Sequence, residues 1–201
     1  MMNWYQEITL IDQDEISPYF IWSKVYTQLL LLPNIAMSRV EYPSVYLFLN
    51  IVSMSKRKLV LGTKIRVFAS SENDLQQLNL GKWLERFIDY VHITQPREVP
   101  RAKITGYAHY YRVNPRMSVE ERIVHQAQRR NISLDQARQH FKQYVEQPVV
   151  EPYVSLKVSV QNEENVDRPY RLYIGKSLVD EARDGMFGTY GLSRMTTVPE
   201  F

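Results

Sequence analysis

The residues best suited to chemistry lie between Ser118 and Arg130. Arg122, His125, Gln126 and Arg129 recur at i, i+3, i+4 and i+7, with Arg130 at the edge, so a helix carries them on one face. Val119, Ile123 and Ala127 form the apolar stripe that would anchor it. Arginine forks and amides on one face suit phosphate oxygens and base edges. An amphipathic surface helix shows the same stripe, so the pattern alone does not decide. The surroundings are basic: Arg97 to Val145 holds ten Lys/Arg against four Asp/Glu, a local charge of +6 that leaves −3 for the rest. A basic segment on a near-neutral body is the footprint of a polyanion-binding surface, although a solvated helical region with spare charge gives the same count. The absence of cysteine excludes disulfides, thiolate metal sites and thiol nucleophiles. His92, His109, His125 and His140 contain no zinc-spaced pair, so no metal or other cofactor is expected.

The elements that would position these residues read as α+β. Trp4 to Ile11 alternates polar and apolar, which predicts a strand. Ser17-Pro18 opens an apolar-periodic run to about Leu31, which predicts a helix. Lys64 to Ala69 predicts a half-buried strand, and Ser71 caps a helix to about Leu78. A second helical piece surrounds Trp83 to Ile88, and Tyr90 to Thr94 predicts a strand. With one more strand before Lys64, residues 1–96 have the order β-α-β-β-α-β, the split βαβ, ferredoxin-like (RRM-like) arrangement. Pro96 and Pro100 mark a boundary, and residues 97–201 form a second part. Its opening, with Tyr107, His109, Tyr110, Tyr111 and Arg112, is aromatic and basic. Ser118 and Ser133 start capping boxes of helices to about Arg130 and Val145. Tyr153 to Val160 and Tyr170 to Ile174 predict strands. No apolar run is long enough to span a bilayer and no signal peptide opens the chain, so a cytoplasmic protein with no membrane partner is expected.

The tail is the most specific stretch: Met186-Phe-Gly-Thr-Tyr-Gly-Leu-Ser-Arg-Met-Thr-Thr-Val-Pro-Glu-Phe201. It resembles the C-terminal signature of the CRISPR repeat endoribonuclease of subtype I-F systems. Tyr170-Arg-Leu-Tyr-Ile174 matches a strand of that family. The resemblance implies a nuclease that binds the hairpin of a CRISPR repeat RNA, cuts it without metal and stays on the product. The partners implied are the crRNA and the other subunits of a type I-F surveillance complex. In the family, an arginine-rich helix at the place of Arg122 to Arg130 enters the hairpin's major groove. This helix is less arginine-dense, so Arg112, Arg116 and Lys142 are expected to add affinity. Tyr170 takes the place of the aromatic that stacks on the lowest base pair, and Tyr190 that of the active-site tyrosine that helps orient the base. The implied reaction is attack of a 2′-hydroxyl on the neighbouring phosphate, giving a 2′,3′-cyclic phosphate and a 5′-hydroxyl. A first-helix histidine serves as the base and a serine after the helical segment holds the ribose.

Two features depart from the family. The histidine falls at or next to Leu30, and no histidine stands between residues 1 and 91. The family strand Gly-(Val/Leu)-Ser-Phe-Pro is also missing, and the chain reads Ser44-Val-Tyr-Leu-Phe-Leu-Asn-Ile51 instead. Synonymous codons for that octapeptide, read from the third base, give Gly-Leu-Ser-Phe-Pro-Lys-Tyr. Residues 30–55 are therefore read as a shifted frame, and the segment from about Leu32 to Ser55 is expected to pack poorly between a normal helix and a normal strand. The ribose-holding serine falls on Val158, with Ser159 one residue off and Ser155 a further candidate. Ser159 reaches the same side only through a bulge or gap. Two other readings stand beside the nuclease: a catalytically inactive hairpin-binding subunit, and a ferredoxin-like protein–protein adaptor with a merely basic helix.

Overall fold

A computed structural model describes residues 2–32, 45–50, 54–55, 58–115, 117–145, 149–159, 167–188 and 190–201. For residues 45–50, 54–55, 58–59, 158–159 and 167–169 it describes the backbone alone. The protein is α+β and divides into two compact units, residues 1–113 with 151–201, and residues 114–150.

The first unit starts with β1 (Trp4–Leu10), whose alternation buries Gln6, Ile8 and Leu10. Helix α1 (Pro18–Leu30) has Pro at its first turn, where a missing N–H costs nothing. It buries Ile21, Trp22, Val25, Tyr26 and Leu29, a stripe at helical spacing. β2 (Val45–Asn50) follows, then the short pair β3 (Met54–Ser55) and β4 (Lys58–Leu59). β5 (Lys64–Ala69) is buried after its first residue. Helix α2 (Glu72–Leu78) begins at a Ser71/Asp74 capping box and ends at Asn79, whose φ of 48° is left-handed. Helix α3 (Leu80–Trp83), a 3-10 turn at Glu85–Phe87 and β6 (Val91–Ile93) complete the first sheet's run of elements.

The first sheet runs β2-β5-β1-β6, all antiparallel, with β7 (Arg97–Glu98) also on β1. This is the order the split βαβ reading requires. Of the stretch 32–55, expected to pack poorly, Leu32 has its side chain described, and 45–50 and 54–55 their backbone alone. Leu32 is fully buried, and β2 pairs with β5 in continuous register from Val45–Ala69 to Asn50–Lys64. A strand is made by backbone hydrogen bonds, which most sequences supply, and the Val-Tyr-Leu-Phe-Leu run has high β-propensity. Residues 33–44, 51–53 and 56–57 lie outside the described residues.

The second sheet runs β11-β8-β10-β9, also antiparallel. Its strands are β8 (Gly106–Val113), β9 (Tyr153–Ser159), β10 (Asp167–Val179) and β11 (Val198–Glu200). The stretch read as an aromatic, basic opening is thus a central strand. Both sheets share one core, in which Ile8, Val25, Leu29 and Val67 sit with Ala108, Leu172 and Ile174.

The second unit holds helix α4 (Val119–Arg130) and helix α5 (Leu134–His140). The capping boxes at Ser118/Glu121 and Ser133/Gln136 form as read. Asn131, at φ 50°, terminates α4. Its own small core is Ile123, Ala127 and Ala137. Helix α5 stops at His140 rather than near Val145, because Phe141 leaves helical geometry (φ −105°, ψ 7°). There its ring packs on the small core and meets Tyr144 edge-on at 6.0 Å.

Candidate nucleic-acid interface

Three side chains from separate parts of the sequence converge in the first unit. Tyr170 on β10 and Tyr190 in the tail stack with centroids 6.5 Å apart and planes 28° apart. The Arg112 guanidinium from β8 lies 5.2 Å from the Tyr170 ring and 5.8 Å from the Tyr190 ring. Burial pushes the Tyr170 phenol up, against the downward pull of Arg112. It is therefore a neutral stacking ring at physiological pH rather than a base.

Helix α1 holds this cluster from below. The Tyr26 hydroxyl donates to the Tyr190 carbonyl at 2.6 Å. Tyr26 is fully buried, and burial, followed by the neighbouring Tyr190, drives its phenol far above the ordinary range. The Ser23 hydroxyl donates to the Ser155 carbonyl on β9, and Trp22 Nε1 donates to the Gly62 carbonyl at 2.7 Å. Leu30 stands four residues beyond Tyr26, so the two share a helix face, and it packs partly buried on the main core. Helix α1 carries no imidazole. His109 is buried with Nδ1 3.0 Å from the Thr196 carbonyl oxygen, and His92 is on β6.

The tail is folded on itself, and Ser193 is its hub, a role that sequence reasoning missed. Its N–H donates to the Tyr110 carbonyl at 2.7 Å. Its hydroxyl donates to the Met186 carbonyl and accepts from the N–H groups of Met195 and Thr196. Gly191 has φ 68°, the left-handed turn that lets the chain double back. The glycine and serine of the Tyr-Gly-Leu-Ser element therefore shape the loop that presents Tyr190. A serine beside a left-handed glycine was the available signal.

In the second unit, Arg122, His125, Gln126, Arg129 and Arg130 line one open concavity of about 580 Å³ with Met117 and Phe141. Arg122 Nε donates to the Met117 carbonyl at 3.0 Å, and its guanidinium covers the Tyr144 ring at 4.9 Å. Gln126 Nε2 lies 3.0 Å from His140 Nδ1. The expected stripe is thus brought together, and three arginines give the concavity its charge. Lys142 is exposed just after α5, and Arg116 lies outside the described residues.

On β9, Val158 pairs with Arg168 and Ser159 with Asp167. Leu156 pairs with Tyr170 and Ser155 with Arg171. The register runs from Tyr153 to Ser159 without a skipped residue, so Val158 and not Ser159 alternates in phase with the partner of Tyr170. Among the described residues, no group of three or more His, Asp or Glu side chains is placed to hold a metal ion. Nor is any described helix long and apolar enough to cross a membrane.

Compared with known families, residues 5–201 match the model of a CRISPR-associated protein (Cas_Csy4) family. No curated protein matches the chain.

Proposed function

We propose that this chain, which belongs to the CRISPR-associated protein (Cas_Csy4) family, binds the hairpin of a CRISPR repeat RNA and processes the precursor at its base. The observation that carries the reading is the set of five basic and amide side chains lining one concavity of residues 114–150. A phosphate backbone is attracted by Arg122, Arg129 and Arg130, while His125 and Gln126 offer hydrogen bonds to base edges. Protein helices rarely enter a regular A-form major groove, so the target is a hairpin whose groove is opened or distorted. Tyr170 stacks on the last base pair, with Tyr190 and Arg112 beside it. The bound product remains in a surveillance complex with further subunits, in the cytoplasm. Residues 1–96 serve as the ferredoxin-like part and residues 97–201 as the recognition part.

In the cleavage step, the 2′-hydroxyl upstream of the scissile phosphate loses its proton and its oxygen bonds to phosphorus. The bond to the 5′-oxygen breaks, and that oxygen leaves with a proton. A 2′,3′-cyclic phosphate and a 5′-hydroxyl result, and no metal enters the balance. Histidine suits the base because its pKa lies near neutrality. Leu30 cannot fill that role, and Tyr26 is a buried phenol held protonated. The chain as it stands therefore binds its RNA and cuts it slowly.

One specific observation favours a second reading, an inactive hairpin-binding subunit: helix α1 offers no proton acceptor beside Tyr190. The test is a single-turnover assay with excess protein in chelator, using the repeat hairpin of the CRISPR array in the same genome. Tight, salt-dependent binding with slow production of a cyclic phosphate supports the nuclease. The same binding with no product supports the inactive subunit. No binding overturns both and leaves the protein–protein adaptor.

A further inference from the structure

The second sheet has an outer face that the hairpin reading does not use. Its inner face supplies Val154, Leu156, Leu172 and Ile174 to the core, with Tyr170 and Arg112 in phase with them. Strand residues alternate, so Tyr153, Ser155, Arg171, Tyr173, Gly175 and Tyr111 share the opposite face. The register sets Tyr153 beside Tyr173, Ser155 beside Arg171, and Gly175 beside Tyr111.

The side chains there interleave aromatic rings with cations. The Arg171 guanidinium lies 4.8 Å from the Tyr153 ring and is hydrogen-bonded to Tyr173. The Tyr153 and Tyr173 rings are 5.4 Å apart, and Tyr19 of α1 extends the row at 6.3 Å. On β8, Arg194 covers the Tyr111 ring at 4.2 Å. A Cβ at Gly175 would meet that ring at 2.6 Å, so the missing side chain is what lets Tyr111 lie across the neighbouring strand. Arg171, Arg194 and Lys157 are exposed, and among the described residues neither arginine is ion-paired to a carboxylate.

We infer that this outer face is a stacking platform for single-stranded RNA. Bases stack on tyrosine rings and guanidinium planes whatever their sequence, while exposed cations track the phosphates. Both demands are met here on adjacent strands of one rigid sheet. An acidic protein partner would satisfy the cations and leave the aromatic row without a ligand. The platform points away from Tyr170, so it suits unpaired RNA rather than the hairpin itself.

The test uses the full chain and a fluorescein-labelled oligouridine of about twelve nucleotides, read by anisotropy over ~50–200 mM salt. The parent is expected to bind with a clear salt slope. Arg171→Glu and Tyr173→Leu are each expected to weaken binding about tenfold, while the Arg122→Ala/Arg129→Ala pair leaves most of it. Photocrosslinks of a 4-thiouridine oligomer are expected on β9 and β10, which locates the site even where a variant folds poorly. The inference is overturned if the parent ignores oligouridine, or if only the Arg122/Arg129 pair reduces binding. Crosslinks confined to residues 114–150, or equal affinity for polyglutamate, overturn it too.

Discussion

At the scale of single residues, the face of α1 that meets the tail carries a phenol at Tyr26 and a hydrocarbon at Leu30, and neither takes up a proton at neutral pH. Leu30→His is expected to raise single-turnover cleavage by about 10²–10⁴, the usual worth of a positioned general base, while hairpin affinity stays the same. Equal rates for parent and variant would remove Leu30 as the lost base. The gain should follow a histidine titration, rising with pH toward neutrality as the imidazole becomes able to accept a proton. Tyr26 has a separate role, because its hydroxyl satisfies the carbonyl that carries Tyr190. Tyr26→Phe keeps the packing but leaves a partly buried carbonyl without this donor, so a stability loss of at most about 1–3 kcal/mol is expected in denaturant melts. Tyr170→Ala is expected to cost about 1–3 kcal/mol of hairpin affinity, measured by filter binding. A similar loss for a hairpin that lacks its terminal base pair would show that the ring does not stack there.

At the scale of elements, α4 owes its shape to local signals and its chemistry to one face. Ser118 and Glu121 close its first turn, Asn131 ends it, and Ile123 and Ala127 seat it on α5. Replacing Arg122 and Arg129 by alanine is expected to weaken hairpin binding and flatten its salt dependence, by roughly one in log–log slope for each phosphate no longer neutralised. An unchanged slope across salt concentrations would show that another surface reads the RNA. All these helix signals were legible in the sequence, because caps and the apolar stripe act within a few residues. Strand β8 was not: Ala108, His109 and Tyr110 are buried in succession, so the alternation that marks a half-exposed strand is absent. The meeting of Tyr170, Tyr190 and Arg112 was hidden for a different reason. Their approach is set by the pairing of β8 with β10 and by the fold of the tail around Ser193. The pairing of β2 rests on its backbone, and even an unfamiliar sequence supplies the donors and acceptors that a sheet edge takes up.

At the scale of the molecule, the first compact unit is closed by its last residue. Phe201 packs edge-on against Tyr5 at 5.0 Å and Phe68 at 6.3 Å, with the Arg66 guanidinium 4.1 Å from its ring. Arg66 Nη1 also donates to the Phe201 carbonyl oxygen at 3.0 Å. Arg66 is in turn fixed by Glu7, whose second oxygen takes Lys64. The tail motif thus ties β11, and with it the second sheet, to β1 and β5 of the first. Burial works to raise the Glu7 carboxyl, but hydrogen bonds from Lys64 and Arg66 outweigh it and hold the carboxyl below its ordinary value. A carboxyl with a lowered folded-state pKa contributes stability that is complete above the unfolded pKa, and lost as pH falls through the folded one. Melting temperature is therefore expected to drop on acidification through the carboxylate range, and Glu7→Gln to make that drop shallower while lowering the plateau at neutral pH. Phe201→Ala is expected to lower stability at all pH values by about 3–5 kcal/mol at most, since the ring is only half-buried, and to leave the acid limb in place. If Glu7→Gln melts with the parent's pH profile, the clamp between the sheets is not held by this carboxylate.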